Sequence, residues 1–335
     1  MPVALLVLVS GFCFVGCVLN THGLGGTPPS PTPFNKYSDT DVIGNKDCVA
    51  YWPLSESSAT AGNPVTSAIA VDVVGTKLGN PHNGNYTHKG NAPQLFPCPA
   101  FQLAPGVDTA AAVGFLSLGD QSIVKGDAKQ PPANPLVLTT GMQVNGGFVT
   151  VPANSVTNPS GNFTVEVWAR PEWADTDPGV YHVLIDSRDN NAMGVHGFAI
   201  WVNEDGNWEA VLNCTNSKSA TVTAGPAVLK KVTHVVLVLN GNNGSLFIDG
   251  ALSSAVTPLP AGETFSANTT VPLAIGVGLP FLPPRTQPSD NNFFPLMPFS
   301  GTIQDVAIYK IALDPAVINT HNQDGSGNGP PEPAD

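Results

Sequence analysis

From about residue 48 onward the chain runs in short segments of alternating apolar and polar residues, cut every few positions by Gly, Asn, Asp or Pro. A period of two puts successive side chains on opposite faces of a strand, and almost no stretch carries the 3.6-residue period of a helix. The pattern predicts an all-β, antiparallel protein. Strands are expected at 49–54, 147–151, 163–170, 182–186, 197–203, 208–213, 233–240, 245–249, 271–277 and 299–309. Two hairpins are legible, one turning at Glu204-Asp205-Gly206-Asn207 and one at Gly241 to Gly244, because each supplies the Gly and Asn that tolerate positive φ. One short helix is expected at 312–319, with Asp314 as N-cap and Pro315 at its first position. Residues 98–135 hold few alternating runs and read as an insertion or a long loop.

Composition narrows the function classes. Charged residues make up only 11% of the 335, and 34 Gly and 33 Pro rule out a long-helix or coiled-coil protein. The 42% apolar content suffices to bury a core, which argues against wholesale disorder. A net charge of −12, with no Lys/Arg cluster, excludes a nucleic-acid backbone as partner. Residues 1–19 carry no charged side chain and are expected to be a signal segment for a secreted or cell-surface protein. Phe14-Val15-Gly16-Cys17 resembles a bacterial lipoprotein processing box, which makes Cys17 a lipidation candidate beside two alternatives, ordinary signal cleavage and a retained membrane-embedded N-terminus. A Pro-rich spacer at 20–47, one domain at 48–323 and a disordered tail at 324–335 complete the expected organisation. Of the five Cys, a bridge from Cys48 to Cys98 is the simplest pairing in an oxidising compartment, leaving Cys214 buried or free.

Chemistry has few candidate positions. Glu166 shares a strand face with Trp168 and Arg170 and has no second carboxylate at strand spacing. Retaining glycan hydrolysis needs two carboxyl groups about 5 Å apart, so a glycan hydrolase ranks third among the functions considered. Sugar binding needs an aromatic face and a few fixed polar groups. If Phe163, Val165, Val167 and Ala169 face the inter-sheet core, then Glu166, Trp168, Arg170 and Trp201 line an outer face, with Trp173, His182 and Arg188 around its rim. The Pro-rich stretch 279–298 carries Phe281, Phe293, Phe294, Leu296 and Met297, which would form an apolar contact patch or pack on the sandwich edge.

Several pieces of sequence, in order, carry a family resemblance. They are Val49-Ala50-Tyr51-Trp52-Pro53-Leu54-Ser55-Glu56, Val71-Asp72-Val73-Val74-Gly75 with Asn83-Gly84-Asn85-Tyr86, Asn162 to Pro171, the hairpin His234 to Gly250, and Phe299 to Tyr309 followed by Ala312-Leu313-Asp314. Together they resemble the laminin-G-like jelly rolls of the concanavalin A-like lectin/glucanase superfamily. The resemblance implies two curved antiparallel sheets forming a jelly-roll sandwich with one short C-terminal helix. It also implies a structural calcium near the closing strand, with Asp305 as the first candidate ligand and Asp72 as the second. Members bind carbohydrate, bind protein or cleave glycans. The expectation for this chain is therefore a non-catalytic extracellular binding module, recognising a glycan first and a surface protein second. The competing class is a self-associating structural or adhesive building block of a cell-surface layer, filament or virion.

Overall fold

The alternation along Phe163–Pro171 sets the layers of the fold. Phe163, Val165, Val167 and Ala169 point into the space between two sheets, while Thr164, Glu166 and Trp168 point to the other side, and all seven are buried. A strand buried on both faces must lie in the middle of a sheet with material above and below it. The computed structural model describes residues 36–56, 69–87, 115–121, 123–124, 128–129, 137–138, 140–145, 148–172, 181–191, 194–253, 255–278 and 299–328. The signal segment with Cys17, and also Cys98, Trp173 and 279–298, lie outside these residues.

Among the described residues the first sheet has nine strands. Its main path runs β14 (Ala251–Leu252), β13 (Asn243–Ile248), β12 (Thr233–Asn240), β7 (Phe163–Pro171), β17 (Ser300–Tyr309), β5 (Thr140–Asn145) and β4 (Phe115–Gln121). Off this path β1 (Cys48–Trp52) pairs with β17, and β15 (Thr257–Pro258) pairs with β13. Among the described residues the second sheet has eight strands, ordered β11 (Ser219–Pro226), β10 (Asn207–Asn213), β9 (Phe198–Val202), β8 (His182–Asp186), β16 (Leu273–Ile275), β6 (Phe148–Val151), β3 (Gly84–Thr87) and β2 (Ile69–Ala70), and the short helix α1 (Val73–Lys77) follows β2. Every pairing is antiparallel, and the chain passes from one sheet to the other and back, as a two-sheet sandwich requires.

The inter-sheet core joins Val165, Val167 and Leu237 of the first sheet to Leu184, Phe198, Ile200, Trp208 and Leu212 of the second. A second apolar layer covers the outer face of the first sheet. It holds Trp168, Val236, Phe247 and Tyr309 from the strands, under Tyr37 and Val42 of a π-helical turn (Lys36–Val42) and under Leu313 and Ile318 at helix α2 (Pro315–Gly325). Helix α2 starts as its sequence dictates: the Asp314 carboxylate accepts from the N–H of Ala316 at 2.8 Å, and Pro315 follows it.

Four expectations need correction. Residues 36–47 do not continue a spacer, because Tyr37 and Val42 are fully buried against the sheet. The supposed insertion contributes β4, the outermost strand of the main path. Helix α2 runs on to Gly325, so the tail does not begin at 324. Cys48 is a free, buried thiol that donates to the Ala50 carbonyl at 3.5 Å, so it stands outside the expected bridge to Cys98. Strand β11 went unpredicted although it alternates, with Ala220 and Val222 buried between exposed Ser219, Thr221 and Thr223. Its small polar residues resemble a loop by composition.

Candidate functional site

Glu166 is the most unusual residue of the buried outer layer. Its carboxylate has no access to solvent and takes four side-chain donors. Oε1 accepts from Tyr37 Oη at 2.9 Å and His234 Nε2 at 2.7 Å. Oε2 accepts from Tyr309 Oη at 2.8 Å and His321 Nδ1 at 3.0 Å. The register explains the two donors from the sheet: Val236 of β12 and Ala307 of β17 lie directly opposite Glu166, and their same-face neighbours two residues away are His234 and Tyr309. The other two donors come from the covering segments, Tyr37 from the π-helical turn and His321 from α2. One carboxylate thus joins three layers of chain.

Burial alone would raise the Glu166 carboxyl; the charge of His321 and the hydrogen bonds from His234 and His321 overcome it and hold the group well below its ordinary 4.5. Burial likewise works against a charged His321, but Glu166, with Asp41 and Asp324 nearby, raises it above its ordinary 6.5. Burial, reinforced by the charge of Glu166, pushes the Tyr309 hydroxyl far upward, so it remains a donor. The linkage fixes a pH window. The His321 contribution is complete below 6.5 and is lost as pH rises through its raised value; the Glu166 contribution is complete above 4.5 and is lost as pH falls through its lowered value. The contribution of this pair to stability is expected to be greatest between pH 4.5 and 6.5, which denaturant midpoints measured across pH, compared with those of a His321→Gln variant, will check.

Trp168 lies directly over His234, ring centroids 4.6 Å apart and planes 25° from parallel. Tyr37 meets its edge at 5.7 Å. On the far side Gly325 of α2 comes so close that a Cβ there would collide with Cζ2 of the indole, which is why a glycine ends the helix here. Trp168 also borders a pocket of about 360 Å³, lined with it by Ile123, Val232, Asp249, Asn322, Ser326 and Asn328. Asp249 sits at left-handed φ (51°) in the Asp249-Gly250 turn. Its Oδ1 accepts from the His234 N–H at 3.0 Å and its Oδ2 pairs with Lys231 at 2.6 Å. Trp168 is buried, yet its Nε1–H has no hydrogen-bond partner. A buried indole N–H normally finds an acceptor, so its lack of one here is unusual.

The sequence expected one groove; the structure divides its residues between two faces. Glu166, Trp168 and Arg170 belong to the outer face of the first sheet, whereas Trp201 belongs to an apolar cluster with Val183, Ala199 and Val211 on the outer face of the second. The inter-sheet core separates them. Glu166 is sealed by its donors and Trp168 forms a pocket wall. Arg170 is held by Glu172 at 2.6 Å and Thr302 at 3.1 Å. Trp201 donates to Glu209 at 2.8 Å, with Tyr181 at its edge and Arg188 4.6 Å above its ring. Arg188 is itself buried in a two-point pair with Asp186. His182 pairs in register with Val202, a core residue, and so leaves the Trp201 face.

Asp72 accepts from the backbone N–H groups of Tyr51, Gly75 and His82 and contacts the His82 ring at 3.1 Å, which occupies both its oxygens as an N-cap. Asp305, at φ 54°, accepts the Tyr51 hydroxyl at 2.6 Å. Among the described residues no three His, Cys, Asp or Glu side chains gather to hold a metal. Calcium takes six to eight oxygens, and Asp72, each of whose oxygens already faces two nitrogen groups, does not fit such a shell.

The chain matches a family described as the concanavalin A-like lectin/glucanases superfamily over residues 144–319. No curated protein matches it. Solved structures similar to it include the botulinum neurotoxin serotype D binding domain, at 16% identity over 65% of this chain and 48% of that one, with a TM-score of 0.42. A botulinum neurotoxin type C structure, from work on cell entry through two ganglioside molecules, matches at 15% identity over 83% and 51%, TM-score 0.46. Trypanosoma rangeli sialidase with 2,3-difluorosialic acid matches at 14% identity over 85% and 34%, TM-score 0.45. The chain spans about half the length of the neurotoxin chains.

Proposed function

Because this chain belongs to the concanavalin A-like lectin/glucanases superfamily, we propose that it is a non-catalytic carbohydrate-binding module whose site is the pocket beside Trp168. The observation that carries the proposal is a pocket where the Trp168 ring, whose Nε1–H is unpartnered, shares a wall with the polar side chains of Asp249, Asn322 and Ser326. A pyranose presents hydroxyls that both accept and donate. One could accept from the indole while others bond to the amide, carboxylate and hydroxyl groups around it. The size suits a short ligand, since the pocket lies at the lower end of the roughly 300–1,000 Å³ range of small-molecule sites. Two features argue against hydrolysis here. Glu166 is enclosed by four donors, and the described lining holds one carboxylate, Asp249, where two-carboxylate hydrolysis requires a pair.

A glycan array on the full chain, followed by calorimetric titration of the best ligand, tests the assignment. Trp168→Phe keeps a ring over His234 and removes the N–H, so it is expected to weaken binding about tenfold, the worth of one hydrogen bond. An array without ligands, or a ligand bound equally well by Trp168→Phe and Asn322→Ala, would sink it.

A further inference from the structure

We propose that the contact between His321 and Glu166 is a proton-dependent latch that holds helix α2 against the first sheet and thereby fixes the wall of the pocket beside Trp168. The buried stripe of α2 is Ile318, His321, Asp324 and Gly325. A helix that docks by hydrophobic burial presents an apolar stripe at i, i+3, i+4 and i+7. This one presents a single fully buried aliphatic side chain, an imidazole, a carboxylate and a bare backbone position. Its attachment therefore depends on polar contacts to an unusual degree, and one of them, fully buried, runs from His321 to Glu166 at 3.0 Å. Asn322, adjacent to His321, lines the pocket, as does Ser326, while Gly325 meets the Trp168 ring. Whatever loosens His321 moves those three positions.

Several groups facing His321 set the pH at which it loosens. Glu166 of β7 faces it directly, and His234 of β12 shares that carboxylate. Tyr37 lies with its ring centroid 6.1 Å away, and Asp41 of the same π-helical turn adds negative charge. Tyr309 of β17 is 6.0 Å away, and Asp324 adds charge from α2 itself. The Cys48 thiol of β1, pushed up chiefly by burial and further by the charge of Glu166, stays protonated and contributes none. The surroundings are anionic, so the imidazolium persists above its ordinary range; the latch is closed at neutral and mildly acid pH and opens as pH rises.

The test is hydrogen exchange of residues 315–325 in the full chain at pH 6 and pH 9, corrected for intrinsic rates. Protection is expected to fall about tenfold or more between the two, each tenfold corresponding to a one-unit difference between the imidazole's closed and open states. In His321→Gln protection should be low and independent of pH. Should that variant misfold, Asp324→Asn removes one nearby anion while keeping the latch, and it should move the transition to lower pH. Equal protection at both pH values, or an equal fall in His321→Gln, overturns the proposal. Its link to ligand binding rests on the carbohydrate assignment, so the best array glycan is titrated at the same two pH values. Affinity that falls together with protection supports both. Protection that falls while no glycan binds at either pH leaves the latch standing and removes the carbohydrate assignment.

Discussion

Replacing Glu166 with alanine is expected to destabilise the protein by about 3–5 kcal/mol, the usual cost of removing one partner from a buried ion pair. The reason is what the substitution leaves behind. Tyr37, His234, Tyr309 and His321 all donate to this carboxylate, and all but Tyr37 and His321 are fixed by the sheet, so they cannot turn to other acceptors. A charged His321 would then lie 2% exposed with its anion gone. Guanidinium unfolding monitored by fluorescence should show a lower midpoint at unchanged slope. A loss below about 1 kcal/mol would mean that water or a rearranged helix can take over the carboxylate's role.

Trp168→Ala should produce the second large effect, about 3–5 kcal/mol, as for other buried aromatic truncations. The indole fills the space between His234, Tyr37 and Gly325, and the cavity left by its removal has rigid walls on the sheet side. Glycan binding at the pocket should be lost altogether, in contrast to the partial effect of Trp168→Phe. Because Trp168 and Glu166 share His234 and Tyr37, the double variant should lose less than the sum of the two single losses. Additive losses would show that the two residues act through separate contacts.

Alternation made most of the sandwich legible. It placed 182–186 and 233–240 at their observed bounds, and it assigned Phe163, Val165, Val167 and Ala169 to the space between the sheets. It also put Glu166 and Trp168 together on the opposite face. What it lacked was the second dimension of the problem, namely which face of which sheet a residue from another strand would join. Trp168 and Trp201 have the same local pattern, and only the topology sends them to opposite sides of the molecule. The donors to Glu166 lie 68, 129, 143 and 155 residues away along the chain, and no local period can link residues at such separations. The calcium expectation came from resemblance, which carries a position across but not its hydrogen bonds; at Asp72 those bonds turned the residue into a helix cap.

The pairing of β1 with β17 bears on how the molecule comes into being. The Tyr51 hydroxyl meets Asp305, 254 positions later, and β17 also flanks β7 and β5, so the two parts of the first sheet stay unjoined until residues 300–309 have been synthesised. Long-range closure of this kind carries its entropic cost before its contacts form, and it places the domain among slow folders. A nascent chain that stops short of residue 300 can pair β7 with β12, β12 with β13, β13 with β14 and β15, and β4 with β5, but it lacks the strand that joins these two groups and takes up β1. The two groups of strands therefore close on each other only when β17 enters between them, and helix α2 then covers the outer face they form.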